Sequence, residues 1–228
     1  MKTINLICLA VVANVVSVVA NIEFGQKFDR VNPHILGGND AKEGQFSYQV
    51  SLRSRKGHFC GGAIISNRFI LSAAHCMQGP FASPNLVYAV VGTIYSSKDG
   101  VYYRLSTIKS HPEYDKKKSL NDLAILRTTE EIIFSNLIQP VALPKMPSSH
   151  FDNNFILSGW GCSKQPHPMQ KPTMSDLLKF IMPATLSTKD CIEKFKGHQT
   201  SELVRDTNIC TISPVDVGTC FGDSGNLS

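Results

Sequence analysis

Beyond Ile35 the chain never sustains one hydrophobic period for long. Short apolar and β-branched runs are broken by turn residues, and this rhythm restricts the chain to antiparallel β architectures, either barrels or sandwiches. Ser47–Arg53 alternates with period two. Ala63–Ser66 and Phe69–Ser72 flank Asn67-Arg68, which reads as a hairpin. Val87–Ile94 and Val101–Leu105 flank the turn Ser96–Gly100. Leu123–Leu126, Phe155–Ser158 and Lys179–Met182 supply further strands, and only Lys189–Lys196, after Ser187-Thr188, has helical character. Twelve prolines and sixteen glycines fit so many turns.

The first residues read differently. Lys2 precedes a mostly apolar run, Leu6–Ala20, that ends in small residues and is interrupted by Asn14 and Ser17. That is the pattern of a secretory leader over residues 1–20, too short for a membrane span. Residues 21–34 are polar and aperiodic, as in a short pro-segment. Of seven cysteines, Cys8 leaves with the leader. Cys60, Cys76, Cys162, Cys191, Cys210 and Cys220 remain, an even set that suits disulfides in an extracellular protein. No CxxC pair suggests zinc. The formal net charge of +5 is mild, and Lys116-Lys117-Lys118 is the one basic run, so nothing points to nucleic acid or a membrane as partner.

Three segments carry chemistry. Gly222-Asp223-Ser224-Gly225 sets a serine between glycines, which let the backbone bend and turn the N–H groups of Gly222 and Ser224 toward one point. Ala73-Ala74-His75-Cys76 places a histidine beside a cysteine, with Cys60 sixteen residues earlier across the hairpin. A bridge between the two cysteines would pin the His75 loop and contribute roughly 3 kcal/mol. Asn121-Asp122-Leu123-Ala124 sets a carboxylate at the head of an apolar strand. Each motif alone is also an ordinary turn, a structural histidine or a turn cap. Together they hold what peptide acyl transfer needs: a hydroxyl, a base, an acid that orients the base, and backbone donors for the oxyanion.

In order along the chain stand Ile35-Leu-Gly-Gly38, Cys60-Gly-Gly62, Ala73-Ala-His-Cys76, Asn121-Asp-Leu-Ala124, Gly159-Trp-Gly161 and Gly222-Asp-Ser-Gly225. This series resembles the chymotrypsin family of serine proteases, most of all arthropod digestive enzymes, from Ile35 to Gly225. The resemblance implies an all-β fold of two antiparallel six-stranded β-barrels, residues 35–140 and 141–228, with the site between them. It implies Ser224 as nucleophile, His75 as general base and then acid, Asp122 as its orienting carboxylate, and Gly222 and Ser224 as oxyanion donors. Cleavage before Ile35 would free an amino group that pairs with Asp223. His58 matches a histidine that holds this aspartate in some precursors. Cys60–Cys76 and Cys191–Cys210 match family disulfides. Gly218 falls at the base of the specificity pocket, where an enzyme cutting after Lys or Arg would carry an aspartate, so large apolar or aromatic side chains are expected. No cofactor and no metal are implied. The implied partners are protein or peptide substrates, an activating protease and proteinaceous protease inhibitors, for a secreted, extracellular monomer.

The sequence also departs from the family. His34 stands where most relatives have Arg or Lys, and trypsin cleavage after Arg30 would leave four extra residues before Ile35. After Gly225 the family continues with Gly, Pro and further strands, whereas Asn226-Leu227-Ser228 follows here, so a second barrel incomplete at its C-terminus is expected. Cys220 then lacks its usual partner, and Cys162 is left over and could bridge to it. The alternative reading is a non-catalytic family member acting as a binding or regulatory protein.

Overall fold

The computed structural model describes residues 3–9, 19–23, 38–143, 155–161, 174–196, 204, 208–213 and 223–225. Its strands begin with β1 (Thr3–Leu9), β2 (Val19–Glu23) and β3 (Asn39–Asp40). Six more follow: β4 (Gln49–Ser54), β5 (Gly57–Ile64), β6 (Phe69–Ser72), β7 (Tyr88–Val91), β8 (Val101–Ser110) and β9 (Ala124–Thr128). The second half supplies β10 (Leu157–Gly159), β11 (Lys179–Ile181), β12 (Ala184–Leu186), helix α1 (Thr188–Lys194) and β13 (Ile209–Ser213).

Strands β4–β9 close into a six-stranded antiparallel barrel in the order β4-β5-β6-β9-β8-β7. Alternation in the sequence explains it. In β9, Ala124, Leu126 and Thr128 point inward while Ile125 and Arg127 face out. In β8, Tyr103 and Leu105 are buried between exposed neighbours. Val50, Leu52, Ile64, Ile70, Ala89, Val91 and Leu126 fill the interior with no exposure. Each Val, Leu and Ile among them contributes about 1.5–3 kcal/mol by leaving water. The expected hairpin is present: β5 and β6 pair Ala63 with Leu71 and Ile64 with Ile70, and Ser66 Oγ accepts the Arg68 and Phe69 N–H groups.

β4 is buried on both faces, because its outer side meets the second half. There Ser158 Oγ donates to Gln49 Oε1 at 2.7 Å. The second half is open among the described residues. One sheet runs β10-β11-β3, and the other runs β12-β13-β1-β2. In the latter, Thr3–Leu9, part of the segment read as a leader, lies antiparallel to β13. The helix begins one residue earlier than the sequence suggested, because Ser187 Oγ caps it by accepting the Asp190 N–H. It ends at Lys194 rather than Lys196, since the Lys196 N–H turns back to Glu193 O in a tighter turn. A Cys191–Cys210 disulfide fastens α1 to β13 over a small cluster with Phe195 and Val204. Among the described residues no helix is long and apolar enough to cross a membrane.

Candidate active site

His75 sits on a single 3₁₀ turn, Ala74–Met77, that leaves the inner end of β6. The turn is held from two sides. Cys76 is bonded to Cys60 on β5, and its neighbours Ala74 and Met77 are buried. The ring of His75 stays 39% exposed, which leaves it open to a ligand.

Asp122 approaches from the turn before β9. Ser119 and Asn121 there have φ of 49° and 54°, a left-handed conformation that asparagine tolerates. Asn121 Nδ2 secures it by donating to Glu113 O at 2.9 Å. The turn drives the Asp122 carboxylate inward to 5% side-chain exposure. One oxygen accepts the backbone N–H of His75 at 2.7 Å, and the other faces His75 Nδ1 at 2.6 Å. An ionised carboxylate only accepts, so the His75 proton belongs on Nδ1 and Nε2 carries the lone pair. Tyr114 lies alongside. Burial pushes its hydroxyl above the usual tyrosine range, and the charges of Asp122 and Asp115 add to the effect.

Ser224 comes from the far end of the chain and docks on β5: its carbonyl accepts the Gly61 N–H at 2.7 Å. The Ser224 carbonyl and His75 Nε2 lie 3.7 Å and 3.6 Å from the same atom, Cys76 Sγ. His75, Asp122 and the Ser224 backbone therefore converge. Among the described residues, no hydrogen bond joins Ser224 Oγ to His75. Catalytic bonds of this kind are often long without substrate. Gly225 makes the docking possible. Its φ is +84°, and a Cβ there would come within 2.5 Å of Ser72 Oγ and 2.6 Å of Gly61 O. Cys60, His75 and Cys76 bring three potential metal donors together, but the two sulfurs are used in the disulfide.

Asp223 is buried, with 7% exposure, and its Oδ1 accepts the Gly161 N–H at 2.6 Å. A side chain at Gly161 would occupy the place of that carboxylate, so only glycine fits. Beside it, Trp160 is fully buried and packs against His58 with ring centroids 5.3 Å apart. Ile35, Cys162, Gly218, Cys220 and Gly222 lie outside the described residues.

The structure adds residues that the motifs did not flag. Arg53 is 4% exposed, and its Nε donates to Ser51 Oγ at 3.0 Å. Ser51 Oγ lies 2.8 Å from His58 Nδ1. Ser51 is fully buried, so this contact gives its hydroxyl a partner. The sequence held one signal of this: Ser51 and Arg53 are two apart on a strand and share a face.

Comparison with known proteins agrees with this geometry. The family described as Trypsin matches residues 35–226. Chymotrypsin-2 of Vespa crabro is 33% identical over 195 residues, covering 84% of this chain and 81% of its own. Serine protease 28 of Mus musculus is also 33% identical, over 84% of this chain and 72% of its own. Among solved structures, the scabies mite inactivated protease paralogue S-D1 superposes with a TM-score of 0.74 at 21% identity, covering 83% of this chain and 79% of that one. Human heparin binding protein gives 0.64 at 24% identity, with coverage of 83% and 78%. At these identities the two structures speak for the fold alone.

Proposed function

Since the chain belongs to the trypsin family of serine proteases, we propose that it is a secreted endopeptidase whose nucleophile is Ser224. In this reading His75 Nε2 takes the Ser224 hydroxyl proton as Oγ bonds to the scissile carbonyl carbon. The proton passes to the amine as the C–N bond breaks, and water then repeats the sequence to release the acid. Gly222 and Ser224 N–H groups would bind the oxyanion. The observation that carries the proposal is the two-point grip of buried Asp122 on His75, since it leaves Nε2 as a base.

Asp223 is the expected partner of the amino group freed at Ile35. Its burial suits this role, because a buried carboxylate is stabilised by a neighbouring cation. Asp223→Asn should therefore fold and stay inactive. Before processing, His58 is the side chain that can hold this aspartate. Gly218, lacking an acid, supports preference for large apolar or aromatic side chains. Residues 35–140 and 141–228 would form the two halves of the peptidase after removal of 1–20 and 21–34. Substrates, an activating protease and protein inhibitors are the partners this implies. Peptide hydrolysis by protein processed at Ile35, abolished by Ser224→Ala, tests the reading. A folded, processed protein without turnover would establish the non-catalytic alternative.

A further inference from the structure

Lys179 is a lysine where a strand residue should be apolar. It lies in the middle strand of the β10-β11-β3 sheet, between Gly159 and Asp40 in register. Its side chain is 6% exposed, and its ammonium contacts the carboxylate of Asp40, 139 residues away in sequence. Among the described residues Asp40 is its one ionic partner. Burial holds the Lys179 ammonium below the usual lysine range. An ammonium taken out of water is costly without a partner, and the exposed Asp40 carboxylate supplies one.

What it does is visible in the connections of the sheet. Asp40 and Asn39 form β3, the first ordered strand after Ile35. β3 adds two residue pairs to β11, and Ala41 just after it is held by its N–H on Leu178 O and by packing with Trp160 and Leu178. Two residues beyond Gly159, on the other edge, Gly161 binds Asp223. One small sheet thus holds both the root of the processed N-terminus and the support of the carboxylate it would meet.

We propose that the Lys179–Asp40 pair is a positioning device for activation: it pins β3, so that the amino group freed at Ile35 is tethered within reach of Asp223. This rests on the activation reading above. Four residues separate Ile35 from β3, so the free end can travel about 14 Å from the pin. Without the pin, the next anchor is Ala41, whose N–H is held by Leu178 O, and the tether grows from four positions to six. Effective concentration falls with about the three-halves power of tether length, so insertion weakens by about twofold. Lys179 is a positioning residue and touches no substrate.

The test is chemical protection of the Ile35 α-amino group. Protein processed at Ile35 is treated with limiting acetic anhydride, and the labelled N-terminal peptide is quantified by mass. Wild type, Lys179→Met, Lys179→Arg, Asp40→Asn and Asp223→Asn are compared at matched circular dichroism. The expected result has wild type strongly protected relative to Asp223→Asn. Lys179→Met and Asp40→Asn would be acetylated about twofold faster than wild type, with Lys179→Arg restored. In the same variants kcat would fall with little change in KM. Protection in both pin variants equal to wild type would overturn the positioning role and leave the activation reading intact. A wild type no better protected than Asp223→Asn would overturn both. Asp40→Asn changes the exposed partner, which covers the case where Lys179→Met does not fold.

Discussion

The grip of Asp122 on His75 makes a quantitative prediction for Asp122→Asn. The aspartate offers acceptors to two donors, the His75 backbone N–H at 2.7 Å and Nδ1 at 2.6 Å. An asparagine has one acceptor oxygen and one NH₂ group. If the oxygen keeps the backbone N–H, the NH₂ faces Nδ1, and the imidazole proton moves to Nε2, where the base is needed. The reverse orientation keeps the useful tautomer but sets a buried N–H against NH₂, at a cost of about 2–3 kcal/mol. A second loss follows. A carboxylate about 4 Å from the charge of an imidazolium is worth up to about 4 kcal/mol at an effective dielectric of 20. Solvent at the half-exposed ring reduces this to roughly half. The total of about 4–5 kcal/mol lowers kcat/KM on the order of a thousandfold or more. The assay is steady-state hydrolysis of a chromogenic peptide by processed protein, with disulfides and circular dichroism unchanged from wild type. A loss smaller than tenfold in a folded variant would refute the tautomer argument.

Other expectations concern the scaffold. Gly225→Ala meets both an unfavourable φ and the Ser72 and Gly61 oxygens, so it should cost about 2–4 kcal/mol in thermal or denaturant unfolding and reduce Ser224 reactivity. Arg53→Met removes the buried guanidinium's bonds to Ser51 Oγ, Tyr102 Oη and Lys98 O and should lower stability by about 3 kcal/mol in denaturant unfolding. Asp176 joins the two halves. Burial alone would raise its carboxyl, but hydrogen bonds from Ser97 and Ser96 and the charge of Lys98 outweigh this and hold it below the usual carboxylate range. A folded value below the unfolded one gives stability that is present above the ordinary carboxylate range and lost as pH falls through the folded value. The Tm difference between wild type and Asp176→Ala should therefore hold at neutral pH and narrow as pH falls below the ordinary carboxylate range.

The first barrel was legible because its strands are buried on one face and so print a period of two, as Ala124, Leu126 and Thr128 do in β9. The site residues were legible because short glycine- and cysteine-bounded motifs carry them. What escaped were the charged side chains inside strands. Arg53 continues the polar positions of an alternating strand, and nothing local says that Tyr95, Lys98 and Tyr102 close over its guanidinium. Lys179 reads as an edge charge, yet it pairs with a residue at the other end of the chain. Such burials depend on packing between distant segments, and a local pattern does not encode them. The 3₁₀ turns Gly79–Ala82 and Pro84–Leu86 escaped for the opposite reason: they lack any hydrophobic period and follow their prolines.

The account depends most on Ser224 being a nucleophile activated by His75. Protein processed at Ile35 should be exposed to a fluorophosphonate and the adduct located by peptide mass. Labelling of Ser224, abolished by His75→Ala, is the predicted result. A folded, correctly processed protein that takes up no label at Ser224 would contradict it.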